Sequence, residues 1–189
     1  MNTSTAQAPP TDDVIELLLW QHAQIRDQFD LVQGSAGQQR KDAFQQLVRL
    51  LAVHETAEEE IVHPAARRVL PGGGGIADDR LEEEREAKEL LAELEGMDTD
   101  DPEFLRKLDK LRIDVLTHAR AEERYEFERL RDAFSDQQRR ALAAAVRAAQ
   151  ATAPTHPHPG TETATKNLLV GPLAAVADRV RDMIRKAGK

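Results

Sequence analysis

Two stretches of this chain, sixty-four positions apart, repeat one order of apolar and ionisable side chains. Read in alternate steps of three and four, they give Phe44, Leu47, Leu51, His54, Glu58 and Ile61, and then Leu108, Leu111, Val115, His118, Glu122 and Tyr125. This spacing places side chains on the face of an α-helix that packs against other helices. Each stretch therefore predicts a helix that turns a histidine and a glutamate toward its interior.

Two further segments follow the same steps and bring the number of long helices to four. The first carries His22 among apolar positions, and the third carries Glu84. Breakers rich in glycine, proline or aspartate separate the four segments at 34–37, 71–75 and 96–102. No segment alternates with a period of two. The predicted fold class is all-α: an up-down-up-down four-helix bundle with additional C-terminal helices.

The predicted organisation has five parts. They are a disordered arm (1–12), a four-helix bundle domain (13–134), an additional helix (135–150), a linker rich in proline and threonine (151–172) and a C-terminal amphipathic helix (173–189). Within the bundle the helices are expected at about 13–32, 39–68 with a bend or end near Pro64, 77–95 and 103–133. The last helix has an apolar stripe that packs on its own bundle or joins two copies, so the chain is expected to be a monomer or homodimer.

Charge and composition narrow the class of protein. The net charge is −8, with 34 acidic and 26 basic residues and no basic block, which argues against a nucleic-acid partner. There is no cysteine, so disulfides and thiolate metal sites are excluded. No apolar run approaches ~18 residues and no signal peptide is recognisable. We expect a soluble, cytoplasmic protein without a membrane span.

The inward ionisable groups need a stabilising partner. One inward histidine is most often a hydrogen-bonded core residue, and Glu84 alone fits a solvated acidic face. Several such groups together cost several kcal/mol each when uncompensated, and pairing of histidine with glutamate offsets only part of this. A multivalent cation is the simplest partner for six groups from four helices. The predicted ligands are His22, His54, Glu58, Glu84, His118 and Glu122.

The chemistry of this ligand set indicates the metal. Carboxylates mixed with imidazoles, without sulfur, suit iron or manganese at five or six coordination. Six protein ligands are too many for one tetrahedral zinc ion, whereas two metals bridged by carboxylates use all of them. Glu58 and Glu122 lie one turn beyond a histidine on different helices. They are therefore the predicted bridges of a dinuclear site.

Three motifs make the chain resemble the hemerythrin-like, HHE cation-binding family over residues 13–134. They are "WQHAQI" around His22, "HETAE" from His54 to Glu58 and "HARAE" from His118 to Glu122. The resemblance implies a non-haem di-iron centre inside the bundle that is bound by these five residues. Its cofactor would be two iron ions, Fe2+ or Fe3+, with an oxo or hydroxo bridge, and manganese is the alternative metal.

One departure from the family pattern bears on function. The third helix of the family usually supplies a histidine where this chain has Glu84 in "EEEREAKELL". The added negative charge favours Fe(III) and disfavours reversible dioxygen carriage. The resemblance then implies reaction with small oxidants, above all a catalase-like reaction with hydrogen peroxide. The alternative is a non-catalytic module that binds, senses or stores iron, dioxygen or nitric oxide.

Further side chains are predicted to assist or are set aside. Tyr125 continues the inward face beyond Glu122, either as a metal ligand and catalytic phenol or as an ordinary core tyrosine. Glu55 lies about 100° from that face and is a candidate for proton transfer or for optional ligation. Glu60 and His63 form a single ExxH off the inward face, and ferritin-like sites need two such motifs. His156 and His158 are interpreted as linker residues.

Overall fold

The computed structural model describes residues 12–157, which form a succession of helices. In chain order these are α1 (Val14–Gly34), α2 (Gly37–Ala57), a first π-turn (Glu58–Val62), α3 (His63–Val69), α4 (Gly73–Glu95), α5 (Pro102–Glu122), a second π-turn (Glu123–Phe127), α6 (Glu128–Ala133) and α7 (Asp136–Thr152). No strand occurs within this range.

Four long rods pack side by side. The first is α1, the second is α2 continued by α3, the third is α4 and the fourth is α5 continued by α6. α1 packs on α2 and α5, and α4 packs on α3 and α5. Because the connections are short, consecutive rods run in opposite directions. This confirms the all-α four-helix bundle, and α7 is an additional helix that packs against α1 and α2.

Polar side chains fix where three of the helices begin. Asp13 accepts a hydrogen bond from the amide of Ile15 at 2.9 Å, and Asp101 accepts one from the amide of Glu103 at 2.8 Å. Ser135 starts α7 with a capping box. Each interaction satisfies an amide that has no partner inside its helix. These starts agree with the sequence-based boundaries to within about two residues.

Glycine explains why α4 starts earlier than the expected residue 77. Gly72 has a left-handed backbone, with φ of 72°, and α4 begins at Gly73. A β-carbon on Gly73 would lie 2.3 Å from the carbonyl oxygen of Ala66, so only glycine fits against α3 here. The glycine run that marks a break in the sequence thus provides the first turn of the helix.

Each of the two π-turns adds one residue to a helical turn directly after a glutamate of the inward face. In the first, the amide of His63 donates to the carbonyl of Glu58. The helical path continues through Pro64, in the first turn of α3, to Val69. The bend or end expected at Pro64 therefore takes the form of a π-turn with the helix continuing beyond it. One extra residue rotates the following side chains by about 100°.

The ionisable layer lies between two apolar clusters. One cluster occupies the half of the bundle that α7 covers, and the other occupies the half near the α2 start and the α4–α5 turn. The first includes Leu18, Ala57, Phe127, Leu130 and Val146, and the second includes Ile25, Phe44, Leu51, Leu91, Leu108 and Val115. Histidines and glutamates fill the level between them. The site is therefore enclosed above and below by apolar side chains.

Some expectations fall on other parts of the chain. None of the helices within residues 12–157 is long and apolar enough to cross a membrane. The arm at 1–11, the linker from 158 onward with His158, and the helix at 173–189 lie outside the described residues. The domain boundaries given above stay a prediction.

Candidate metal centre

The first group of potential ligands joins α1 and α2. His22 and His54 are both buried, and their rings meet edge to face with centroids 5.0 Å apart. His54 Nε2 lies 3.2 Å from Glu58 Oε2, and His22 Nε2 lies 3.8 Å from Glu58 Oε1. The two imidazoles thus direct the same type of nitrogen at one carboxylate. These three residues offer ligand atoms within 4.8 Å of one another.

The second group joins α4, α5 and Glu58. His118 Nε2 lies 3.5 Å from Glu122 Oε2 and 3.8 Å from Glu84 Oε1. Glu122 Oε2 is also 3.4 Å from His22 Nε2, so this carboxylate lies between the two groups. Glu58, His118 and Glu122 again place ligand atoms within 4.8 Å of one another. The structure therefore brings together the six histidines and glutamates predicted as ligands, but not Tyr125, the seventh candidate.

The donor atoms match what a cation requires. Within residues 12–157, neither carboxylate oxygen of Glu58 or Glu122 has a hydrogen-bond partner, and neither do Nε2 of His22 and of His118. All four side chains are at most 11% exposed. Donors that share an octahedral cation at about 2.1 Å lie about 3 Å apart at right angles and about 4 Å apart when opposite. The distances of 3.2–3.8 Å found here fall in that range.

The pKa values of these buried groups show that the neighbouring carboxylates disfavour each other's charge. Burial and the neighbouring Glu122 raise the pKa of Glu58 to about 7. Burial alone would lower the pKa of His118, but Glu122, Glu83 and Glu84 together raise it to about 9. The pKa of Glu122 is instead depressed, because His118 and His22 outweigh its burial. Without a metal, the centre is thus a compact set of acidic and basic side chains in which the pKa of each group depends on the charge of its neighbours.

Outer side chains hold three of the imidazole rings through Nδ1. His22 Nδ1 is 2.9 Å from Glu123, His54 Nδ1 is 2.9 Å from Gln21, and His118 Nδ1 is 2.9 Å from Glu83. An imidazole that binds metal through one nitrogen typically has such a partner on the other. The sequence analysis missed these partners. Each directly precedes or follows a predicted ligand in the chain and contacts a histidine of another helix. Adjacency to a predicted ligand is therefore the signal that the sequence offers.

The prediction that Tyr125 points inward is wrong. Its side chain is 51% exposed and lines a surface pocket with Arg80 and Arg129. The second π-turn adds a residue after Glu122, so Glu126 and Phe127 take the inward positions. A phenol at the surface is not placed to ligate a cation beside Glu122.

Substitution of this tyrosine provides a direct check. The Tyr125→Phe variant is expected to retain the metal content and the visible spectrum of the unsubstituted protein, because the exposed phenol makes no contact with the centre. Visible absorption and elemental analysis of the iron-loaded proteins measure this. A charge-transfer band that disappears on substitution would contradict the exposed position and restore Tyr125 as a ligand.

His63, which the sequence analysis set aside, and Glu126, which it did not consider, lie inside the bundle. His63 and Glu126 are each 1% exposed, and His63 Nε2 lies 2.7 Å from Glu84 Oε1. The expectation that His63 lies off the inward face is wrong, because the first π-turn rotates this side chain inward. Its partner in the ExxH motif, Glu60, remains at the rim with 9% exposure. A regular helical period gives no signal for this rotation.

A buried lysine adjoins the centre on the α4 side. Lys88 is 4% exposed and donates a hydrogen bond to Glu59, which is 3% exposed. The neighbouring Glu55 is 5% exposed, and burial raises its pKa well above the ordinary value despite the positive charge of Lys88. Burial therefore favours the protonated form of the Glu55 carboxyl group. Its position, one residue after His54 and buried, keeps the predicted role in proton transfer as a proposal.

A cavity of about 170 Å³ adjoins the candidate ligands. Its walls combine apolar side chains such as Ile25, Leu51 and Val115 with Glu55 and with the ligand candidates of α2, α4 and α5. It also reaches the exposed side chain of Glu86, so it extends from the centre to the surface between α4 and α5. The volume accommodates several molecules of the size of water. His156, in contrast, lies at the surface beside Glu95 and takes no part in the centre.

Comparison with known proteins agrees with this geometry. The family description "Hemerythrin HHE cation binding domain" matches residues 13–130. A DNA nickase of Nostoc sp. (strain PCC 7120 / SAG 25.82 / UTEX 2576) is 30% identical over 121 residues, which are 64% of this chain and 34% of that protein. The chain thus spans about a third of the length of this relative. No solved structure matches. The family match covers more than half of the chain and the same three motifs, so the predicted resemblance is confirmed: the chain belongs to the hemerythrin HHE cation-binding family.

Proposed function

We propose that this centre binds two iron ions and that the loaded protein reacts with small oxidants, with hydrogen peroxide as the substrate of a catalase-like reaction. His22 and His54 would hold one ion, and His118 and Glu84 the other. Glu58 and Glu122 would bridge, because Glu58 belongs to both groups of ligand atoms that lie within 4.8 Å of one another, and Glu122 lies within 3.5 Å of both His22 and His118. Cation binding itself is the property that defines the family.

The balance of buried charge supports two ions. Six glutamates near the centre are at most 5% exposed, and two basic side chains, Lys88 and Arg80, contact members of this set. With Glu55 protonated and the imidazoles neutral, as metal binding requires, three negative charges remain, which is more than one divalent cation balances. The glutamates are Glu55, Glu58, Glu59, Glu84, Glu122 and Glu126. This excess of buried carboxylates over the basic side chains that contact them is the observation that carries the proposal.

The donor types favour iron, with manganese as the alternative. Carboxylate oxygens and imidazole nitrogens without sulfur suit both metals. When bound, an iron pair supplies the electron transfer of disproportionation, in which one peroxide loses two electrons and leaves as dioxygen and another gains them and leaves as two waters. The cavity confines the small substrate beside the ligands. Glu55 lines the cavity, and its protonated form, which burial favours, would donate the proton that a departing oxygen requires.

A binding or sensing role without turnover is the second candidate. One observation favours it: the matched relative is about three times as long as the aligned region, so in that protein the region is one part of a larger chain. A domain that binds iron, dioxygen or nitric oxide would serve as a module in such an arrangement. Storage of iron is the third variant of this role. None of these requires Glu55 to transfer a proton.

Oxygen evolution separates the two functions. Hydrogen peroxide added to the iron-loaded protein is expected to release dioxygen over many turnovers, measured with an oxygen electrode. The Glu55→Gln variant is expected to turn over about 10²-fold more slowly, because it lacks the proton at the cavity wall. Glu128→Gln, at an exposed position, is the matched control. Release that stops near one dioxygen per centre, or that equals the metal-free protein, would contradict catalysis and favour the binding role.

A further inference from the structure

His63 has the same orientation as the three histidines already placed at the centre. In each of those rings Nε2 faces an inward carboxylate, while Nδ1 faces an outer side chain. His63 Nε2 lies 2.7 Å from Glu84 Oε1, the atom that is also 3.8 Å from His118 Nε2. Two imidazoles therefore flank one oxygen of Glu84, as His22 and His54 flank Glu58 on the other side of the centre.

The outer side of the ring follows the same pattern. His63 Nδ1 faces Glu126 Oε2 at 3.9 Å, and Glu126 Oε1 lies 3.9 Å from Arg80 Nε. In the part of the chain that the structure describes, His63 Nδ1 and both oxygens of Glu126 lack hydrogen-bond partners. His63 and Glu126 are each 1% exposed. A buried carboxylate behind a ring nitrogen is the arrangement that orders a metal-bound imidazole.

The distribution of ligands over the two ions leaves a position for this ring. In the proposed centre one ion would have two imidazoles, from His22 and His54, whereas the other would have only His118 besides carboxylates. The third helix provides Glu84 and, one turn earlier, Arg80, which is not a metal ligand. The first π-turn brings His63 to the same carboxylate from the second rod. His63, Glu122 and Glu126 also offer ligand atoms within 4.8 Å of one another.

We propose that His63 is a fourth imidazole ligand, bound through Nε2 to the cation that His118 and Glu84 hold, and that Glu126 is the positioning residue for its ring. This inference rests on the two-cation centre proposed above. Without metal, Glu84 offsets the effect of burial and raises the pKa of His63 to about 10, so His63 is then a protonated partner of Glu84. Cation binding displaces that proton, as it does from any histidine ligand.

Titration of the metal-free protein with Fe(II) under anaerobic conditions tests the assignment. The unsubstituted protein is expected to bind two ions per chain. His63→Gln keeps an amide that can donate to Glu84 but removes the imidazole, and we expect it to bind the second ion at least tenfold more weakly. Glu126→Gln is expected to weaken binding of the second ion about tenfold, at the low end of the range for an outer hydrogen-bond partner, because it acts through the ring. His156→Gln, at the surface, is the matched control.

The outcomes separate the two proposals. Two ions in the unsubstituted protein and unchanged affinity in His63→Gln would overturn the role of His63 alone and leave it as an ion-pair partner of Glu84. No iron binding by the unsubstituted protein would overturn the centre itself, and His63 with it. Circular dichroism of the metal-free variants checks that they fold.

A measurement on the unsubstituted protein does not depend on folding of the variants. With 15N-labelled histidine, pulsed electron paramagnetic resonance of the protein loaded with Mn(II) counts the imidazole nitrogens bound at each position. Four histidines in total, two at each cation, are expected. A count of three, with one at the second cation, would overturn the assignment.

Discussion

The paired substitution His54→Ala and His118→Ala is expected to leave the protein with less than about a tenth of the normal metal. Each substitution removes one imidazole from a different half of the centre: the ring nitrogen 3.2 Å from Glu58 in one case and 3.5 Å from Glu122 in the other. Loss even of an outer hydrogen-bond partner typically lowers metal affinity 10–100-fold, so loss of two ligands has a larger effect. Elemental analysis of protein purified without added metal measures it.

The chain offers a closely matched control for this variant. His156 is a histidine of the same protein, at the surface and hydrogen-bonded to Glu95, so His156→Ala tests the residue type without touching the centre. Its metal content is expected to equal that of the unsubstituted protein. If the paired variant retained the full metal content, metal would bind elsewhere, and the buried cluster would be a metal-free ion-pair network.

The helical period was sufficient to predict the layer of ionisable groups. His22, Glu58, Glu84 and Glu122 are all at most 3% exposed, and His118 is at most 11% exposed. The reasoning succeeds here because the steps of three and four hold up to Glu58 and Glu122, where the regular helices end. Up to these positions the face of a helix follows from residue number alone.

Beyond these glutamates the same reasoning misplaces residues on both rods, although Ile61 is buried as expected. The π-turns rotate the later side chains, so Tyr125 turns to solvent while His63 and Glu126 turn inward. The sequence has no distinct signal for a π-turn, since its residues are ordinary helix formers. π-turns often occur at functional sites, where they re-aim a side chain at the cost of a regular hydrogen bond. Both occur beside the predicted bridging residues.

The contacts behind the ligands depend on which helices are neighbours. Gln21 serves His54, Glu83 serves His118 and Glu123 serves His22, in each case across a helix boundary. Their pairing depends on the relative height of the rods, which a period along one helix does not provide. Once the predicted ligands of the four helices are placed at one level, the residue next to each of them becomes a candidate hydrogen-bond partner for a histidine of a neighbouring helix.

A centre built for cations should destabilise the protein that lacks them. In the metal-free state Glu58 is fully buried, and its pKa of about 7 lies above the ordinary value of 4.5, because burial and Glu122 disfavour its charge. A group with a raised acid pKa lowers stability only where it is ionised. The penalty is absent below pH 4.5, grows between 4.5 and 7, and reaches about 3 kcal/mol above that.

The metal-free Glu58→Gln variant is therefore expected to be more stable than the metal-free unsubstituted protein at pH 8. The amide keeps the shape of the side chain and removes the charge beside Glu122, although it remains without full hydrogen bonding. A net gain of about 1–2 kcal/mol would raise the melting temperature by roughly 2–8 °C. The difference should shrink as the pH falls and vanish well below pH 4.5, where Glu58 is protonated in both the folded and the unfolded state. Thermal unfolding followed by circular dichroism measures both.

Iron should reverse this order of stability. A cation whose free concentration is a hundred times its dissociation constant stabilises a protein by about 2.7 kcal/mol per site. Two such sites therefore outweigh the penalty at Glu58. The unsubstituted protein is expected to gain the most stability from iron. The Glu58→Gln variant is expected to gain little, because it lacks one of the two carboxylates proposed to bridge the ions. Glu128→Gln, at an exposed position, should follow the unsubstituted protein in both states. A metal-free Glu58→Gln variant that melts lower at pH 8 would mean that the carboxylate is stabilised by His22 and His54 alone, and the electrostatic reason for a cation at this position would be lost.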